Sequence, residues 1–284
     1  MREFDLLQPK NLDEALDALA QNNAAIRPLA GGTDMIVDLR AKRAQPDVLV
    51  ALQNVQALRG VARENGTLKI GASTTLAEFL KHPLLAEHDA LRQAASVFAN
   101  PMIRNSATVA GNIGSASPAG DMLPPLLALD AQIELVSQNG ARTMPLDEFF
   151  LGPRKTARNL NELIFNLQLP TANRQSASAF YKLGLRQADA ISLVSVAVWL
   201  QRDGDKIRDV RIALGAVAPR PMRATRAEEI LRGQIYSETN LTAAARAASE
   251  ECAPISDLRA SAQYRKRMVN VYVRRMLEQA WNNI

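Results

Sequence analysis

The sequence predicts an α+β chain in two domains, on three observations. Strand and helix signals alternate through residues 1–173, a region that divides into subdomains of about 1–55 and 56–173. A polar, apolar-poor stretch, 171–178, then interrupts the pattern. Beyond it, 174–284 reads as a three-stranded antiparallel sheet followed, after Pro219 and Pro221, by a helical bundle.

The elements follow in order. Asn11 is the expected N-cap of a helix whose apolar stripe is Leu12, Leu16 and Leu19. A strand over 25–29 ends at Gly31-Gly32, a helix runs from Asp34 toward Lys42, and 47–52 is a buried strand. A strand over 68–72 precedes Thr75, which with Glu78 forms a capping box for 76–80. Residues 90–98 read as helix. Asn139-Gly140 joins strands 131–136 and 142–146 as a tight hairpin, and 162–170 is strand-like. In the second domain, strands are expected at 180–185, 191–200 and 210–217, and helices at 224–232, 239–252 and 261–281.

Composition removes several function classes. With 284 residues, 47% hydrophobic and 22% charged, the chain is long enough for two cores and is not of the disordered type. Its longest apolar run, 191–200, is strand-sized and falls short of the ~18–20 residues that span a bilayer. The start, Met1-Arg-Glu-Phe-Asp, lacks the apolar core of a secretion signal, so the expected compartment is the cytoplasm. Cys252 is the only cysteine, which rules out an internal disulfide or a cysteine-held cluster, and His82 and His88 are expected at the surface. The net charge of +5 is concentrated late, in Arg220, Arg223, Arg226, Arg259, Arg265, Lys266, Arg267, Arg274 and Arg275. No nucleic-acid motif accompanies these residues, so they are expected on a solvated or subunit-facing helical surface.

Two glycine-rich segments carry the chemistry. Leu29-Ala30-Gly31-Gly32-Thr33-Asp34 lies between a strand and a helix, where N–H groups can converge on an anion. The span 107–121, Ala-Thr-Val-Ala-Gly-Asn-Ile-Gly-Ser-Ala-Ser-Pro-Ala-Gly-Asp, holds one charged side chain and three hydroxyls. Small residues there permit a close backbone wall with neutral donors. Neither segment is a P-loop or a Rossmann fingerprint, because no Gly-Lys-Ser/Thr and no Gly-x-Gly-x-x-Gly occurs.

The residues at 29–35, then Ile103-Arg104-Asn105 and 108–121, resemble the FAD signature of the flavoprotein medium subunits of molybdenum hydroxylases, the xanthine dehydrogenase and carbon monoxide dehydrogenase type. The likeness extends over the whole chain, including the tail Asp257-Leu-Arg-Ala-Ser-Ala-Gln-Tyr-Arg. It implies the two-subdomain FAD-binding fold shared with vanillyl-alcohol oxidase and p-cresol methylhydroxylase, with FAD as cofactor. By that resemblance Leu29, Ala30, Gly31, Gly32, Thr33 and Asp34 wrap the pyrophosphate from one side, and Thr108, Ala110, Gly111 and Asn112 from the other. Phe98 would line the cofactor, Ser115 and Asp121 would hydrogen-bond it, and Ile164 would touch the adenine side. Lys182 would reach the flavin and Ile191 would cover its ring; without the resemblance they read as an exposed strand lysine and a sheet-core residue.

Two departures stand out. Ala110 replaces a usual glycine, and Asp189-Ala-Ile-Ser places the aspartate one residue early. No side chain is expected to act as a catalytic nucleophile or acid–base pair. The implied partners are a molybdopterin-binding large subunit and a [2Fe–2S] small subunit, with NAD or a quinone as acceptor and neither nucleic acid nor membrane. Two other readings remain open: a free-standing flavoprotein oxidoreductase, and a flavin-free nucleotide-binding assembly module. A bulky residue at Gly32 is expected to abolish flavin retention.

Overall fold

The computed structural model describes residues 2–171 and 175–284. The boundary expected at 173/174 lies outside the described residues. No helix among them is long and apolar enough to cross a membrane.

The first layer is a parallel three-stranded sheet in the order β1 (Asp5–Leu7), β3 (Val48–Ala51), β2 (Ile26–Leu29). Its crossover helices are α1 (Leu12–Leu19) and α2 (Met35–Arg40). The Asn11 side chain accepts from the Glu14 N–H, as the sequence signals, and Leu16 and Leu19 turn into the core. β1 escaped the sequence reading because its three residues are all exposed, which leaves no periodicity to detect.

The second unit is an antiparallel five-stranded sheet, β4 (Val61–Glu64), β5 (Thr67–Gly71), β10 (Leu163–Pro170), β6 (Gln132–Ser137), β7 (Gly140–Pro145). Around it lie α3 (Leu76–Lys81), α4 (Asp89–Ser96), α5 (Pro101–Arg104), α6 (Val109–Gly114), α7 (Leu123–Ala128), α8 (Leu146–Phe149) and the small hairpin β8 (Phe150–Gly152), β9 (Lys155–Thr156). The Thr75–Glu78 capping box forms as expected, with an N-cap contribution of ~1 kcal/mol. The β6–β7 hairpin turns at Gln138 and Asn139, one place before the expected Asn139-Gly140, because Gly140, at φ +122, already pairs with Ser137 as the first residue of β7. Helix α4 stops at Ser96, so Phe98 lies beyond it rather than at its end. His88 is buried, contrary to the surface position expected: it stands at the start of α4, where burial lowers the imidazole below its ordinary value.

Glu162 closes the end of this sheet. Its carboxylate accepts from Arg142 Nε at 2.6 Å and Nη2 at 2.9 Å, and from the Asn159 N–H at 2.7 Å. Burial pushes the carboxyl up, but the Arg142 hydrogen bonds, the Asn159 N–H and the Arg142 charge together hold it below 4.5. A carboxyl depressed in the folded state stabilises above its unfolded value, and that stabilisation fades as pH falls through the lower folded value. Glu162→Gln is therefore expected to lower stability at neutral pH and to flatten the acid limb below pH 4.5, read by denaturant unfolding at a series of pH values. Equal acid slopes for the two proteins would remove Glu162 from that account.

The C-terminal sheet has four strands, not three: β11 (Ser176–Leu183), β12 (Val194–Asp203), β13 (Lys206–Gly215) and β14 (Met222–Arg223), all antiparallel in that order. The added strand is two residues long and follows Pro219 and Pro221, too short and too proline-flanked for an alternation signal. One face of the sheet, with Phe180, Ala197 and Ala213, joins the first domain's core against α4 and α7. The other, with Val194, Val196 and Val198, packs on α9 (Thr225–Leu231), α10 (Glu238–Glu251) and α11 (Ala262–Asn282). A Cβ on Gly215 would lie 2.8 Å from Pro124 Cγ, so β13 and α7 approach as closely as glycine permits. Two arginines expected at the surface are drawn inward, Arg223 to a half-buried position and Arg265 to a buried one. Arg223 forks onto the buried Glu228 at 2.6 and 2.8 Å, and Arg265 is 3% exposed.

Candidate cofactor site

The first glycine segment leaves β2 and turns into α2. Gly32 takes φ +73, a conformation that glycine adopts freely and that lets successive N–H groups face one side. Its carbonyl accepts from the Ile36 N–H at 2.9 Å, which starts the helix. Among the described residues, the N–H groups of Gly31, Gly32, Thr33 and Asp34 have no acceptor within the chain. They form a row of free donors at a helix N-terminus, the arrangement that anions occupy.

The second segment, expected as a close backbone wall, begins with a short helix, α6, over Val109–Gly114. Thr108 is its N-cap and accepts from the Gly111 N–H at 2.9 Å. The Ala107 carbonyl accepts from the Leu76 N–H at 2.9 Å, and the Thr74 carbonyl from the Val109 N–H at 3.2 Å. These bonds fasten the segment to the α3 capping turn. The Thr108 hydroxyl is thus committed to its own helix, and Thr108 and Ala110 are both buried. Small residues raised the helix no signal because Gly111, Gly114 and the cap together carry little helix propensity.

The two segments touch. A Cβ on Gly31 would fall 1.7 Å from the Ser106 carbonyl oxygen, so only glycine fits there. A Cβ on Gly111 would lie 3.8 Å from Ala30 Cβ, and one on Gly114 3.6 Å from Ile164 Cδ1. The Ser115 hydroxyl reaches both the Asp34 carboxylate and the Gly111 carbonyl, donating to one at a time. Ala30 and Asp34 of the first segment thus meet Gly111 and Ser115 of the second, and Ile164 lies beside Gly114.

The other expected residues form a second cluster, joined to the first through Asn112, whose side-chain oxygen accepts from the Met122 N–H at 3.2 Å. Asp121 is buried and fully engaged. One oxygen meets Lys182 Nζ at 2.6 Å and the other accepts from the Ser192 hydroxyl at 2.8 Å. Burial pushes the Asp121 carboxyl up, and Lys182 and Ser192 pull it only partly back. Lys182 is no exposed strand lysine, because its ammonium lies in this pair and near the Val97 carbonyl at 3.4 Å. Ile191 precedes β12 and is 60% exposed, so it is not a sheet-core residue. Phe98 is half-buried and its carbonyl accepts from Arg104 at 2.7 Å. Beside them lies a cavity of about 340 Å³ lined by Val97, Tyr181, Lys182, Leu185, Arg186 and Ala190. Ser192, which the sequence reading did not include, had no signal; only its contact with Asp121 reveals it.

Free backbone donors beside a small-residue helix suit an anionic group, and the separate half-apolar cavity beside Lys182 suits a partly apolar one. The family models divide the chain in the same sense. Residues 2–172 match the FAD binding domain in molybdopterin dehydrogenase, and 179–280 match the CO dehydrogenase flavoprotein C-terminal domain. The chain belongs to the FAD-binding medium subunits of the molybdenum hydroxylases. It is 32% identical over 279 residues to the carbon monoxide dehydrogenase medium chain of Hydrogenophaga pseudoflava, covering 98% of this chain and 97% of that one. It is also 32% identical to a putative xanthine dehydrogenase FAD-binding subunit of Escherichia coli strain K12, over 95% and 93% of the two chains. Among solved structures, reconstituted CO dehydrogenase from Oligotropha carboxidovorans superposes with a TM-score of 0.96 at 30% identity, covering 100% of this chain and 99% of the other. This flavoprotein is accordingly an oxidoreductase component with FAD as its cofactor, and the free donors of 31–34 fit the anionic pyrophosphate of that group.

Proposed function

We propose that this medium subunit carries electrons from the [2Fe–2S] clusters of a small subunit through FAD to a terminal acceptor, NAD or a quinone, while a molybdopterin-binding large subunit oxidises the organic substrate. The observation that supports it most directly is the run of unengaged N–H donors at Gly31, Gly32, Thr33 and Asp34, in a turn that lies against Gly111 and Ser115. Bound there, FAD supplies reversible two-electron redox chemistry; the protein supplies orientation and surroundings.

In this reading the chain is a cytoplasmic protein with the two-subdomain fold of the vanillyl-alcohol oxidase and p-cresol methylhydroxylase type, divided at 173/174. The Leu29–Asp34 turn holds the pyrophosphate through backbone donors. Gly111, Asn112 and Ser115 form the facing wall, with Thr108 and Ala110 shaping it from behind. Ile164 lies toward the adenine end. Phe98, Lys182 and Ile191 face the flavin end. Asp121 acts there by fixing the Lys182 ammonium in the low-dielectric interior, where a charge has its largest influence on a neighbouring redox group. None of these side chains takes or gives a proton in a bond-breaking step.

The experiment is a reconstitution. The purified chain should bind FAD in a one-to-one ratio, and its flavin absorbance should bleach on substrate addition only when both partner subunits are present. Bleaching by a small organic substrate without partners would overturn the subunit role.

A further inference from the structure

We propose that Arg265, held by Asp257, is a positioning residue that latches the flavin-facing loop 184–193 and the domain contact beside it; this rests on the placement of the flavin end proposed above. Arg265 lies on α11, away from the glycine segments, and is 3% exposed. Its guanidinium donates to three groups from three parts of the chain: the Leu193 carbonyl at 2.7 Å, the Ala216 carbonyl at 3.2 Å, and Asp257 Oδ1 at 2.9 Å.

Each of those contacts leads to the site. The Leu193 N–H donates to the Leu183 carbonyl at 2.8 Å and so closes the neck of the loop that carries Ile191. Ser192, next in line, donates to Asp121 and thereby braces the Asp121–Lys182 pair. Ala216 sits at φ +62, a conformation that side-chain-bearing residues seldom adopt, and its N–H donates at 2.7 Å to the Pro118 carbonyl, within the small-residue span of the first domain. One buried fork therefore fixes both the loop over the cavity and the grip of the second domain on the first.

Asp257 aims the fork. Its Oδ1 also accepts from the Arg259 N–H at 2.9 Å, and its other oxygen pairs with Arg259 at 3.0 Å, so the strap preceding α11 is itself closed around the carboxylate. A lysine at 265 could reach one carbonyl but not all three acceptors, since it lacks the planar fork. The tail motif Asp257-Leu-Arg-Ala-Ser-Ala-Gln-Tyr-Arg thus acquires a role: its first and last residues are the latch.

The test uses the full chain with and without FAD. Arg186 is exposed on the loop and offers a trypsin site. In the flavin-free chain, Arg265→Met and Asp257→Asn are expected to raise the rate of cleavage after Arg186 by about tenfold, the change that loss of one charge-assisted hydrogen bond produces in a local opening equilibrium. Arg267→Met, an exposed position on the same helix, should leave that rate unchanged. In the FAD-loaded protein the same two variants should retain flavin yet alter its visible circular dichroism and its reduction potential, with Arg265→Lys falling between. Lowered thermal stability with unchanged cleavage, dichroism and potential would overturn the latch and leave a purely structural arginine. If Arg265→Met does not fold, Asp257→Asn carries the same comparison. The flavin-free cleavage rates decide the latch even if FAD binding itself fails, so the two readings fail separately.

Discussion

Gly31→Ala is expected to cost this subunit its FAD. The new Cβ would sit 1.7 Å from the Ser106 oxygen, 2.5 Å from the Ser106 carbonyl carbon and 3.1 Å from Ala107 Cα. All three are backbone atoms, so no rotamer change relieves the clash. Nor can the 106–108 segment retreat easily, because it is fastened through the Leu76 N–H and the Thr74 carbonyl to the α3 capping turn. The turn at 30–34 must therefore move out, and its donors move with it. Overpacking of this kind costs about 1–3 kcal/mol, and the whole of it falls on the turn proposed to hold the pyrophosphate; FAD affinity should drop on the order of 100-fold. Gly32→Ala is the comparison. Its Cβ would meet only Leu29 Cδ1 at 3.6 Å and Ile36 Cγ1 at 3.7 Å, leaving the positive φ as the penalty, about 1–2 kcal/mol. The ratio of flavin to protein after gel filtration, at matched far-ultraviolet dichroism, ranks the two. Tighter FAD retention by Gly31→Ala than by Gly32→Ala would displace the point of closest approach.

That ranking shows what the sequence could and could not express. Both glycines of Gly31-Gly32 announce a turn, and the sequence favours Gly32 as the critical one, but the contact that singles out Gly31 comes from a residue 75 positions later in the chain, Ser106. Local signals were legible wherever a short-range bond decides the structure: the Asn11 cap, the Thr75–Glu78 box, the β6–β7 hairpin (though its turn falls one residue early) and the long helices. What escaped depends on distant partners. β1 and β14 exist because β3 and β13 offer edges, not because three or two residues have a pattern of their own. Arg265 counts toward the net charge like any surface arginine, yet a buried carbonyl 72 positions earlier, that of Leu193, draws it inside. The candidate site divides the same way. Its glycine turns are local and visible, whereas the engagement of Asp121 by Lys182 and Ser192 joins residues 61 and 71 positions apart.

That ion pair yields the second large expected effect. Replacing Lys182 with Met should destabilise the flavin-free chain by roughly 3–5 kcal/mol, because it leaves the Asp121 carboxylate buried beside a hydroxyl alone. The double variant Asp121→Asn/Lys182→Met should recover about 1–3 kcal/mol of the loss, since an amide needs no counter-charge and can still accept from Ser192. The sign of the pH dependence follows from the direction of the Asp121 shift. Burial already lifts this carboxyl above its ordinary value of 3.8, and without Lys182 it rises further. A carboxyl raised in the folded state binds its proton more readily folded than unfolded, so stability increases as pH falls through the folded value. The Lys182→Met deficit should therefore shrink on acidification, opposite to the loss expected around Glu162. Denaturant midpoints of the two single variants and the double, at neutral and mildly acidic pH, give the coupling directly. Strict additivity with a pH-independent deficit would mean that Asp121 is neutral in the wild-type protein and that Lys182 is oriented by something else. A strong coupling would mean that the ammonium is fixed before FAD arrives, so the flavin end meets a charge whose position the protein has set in advance.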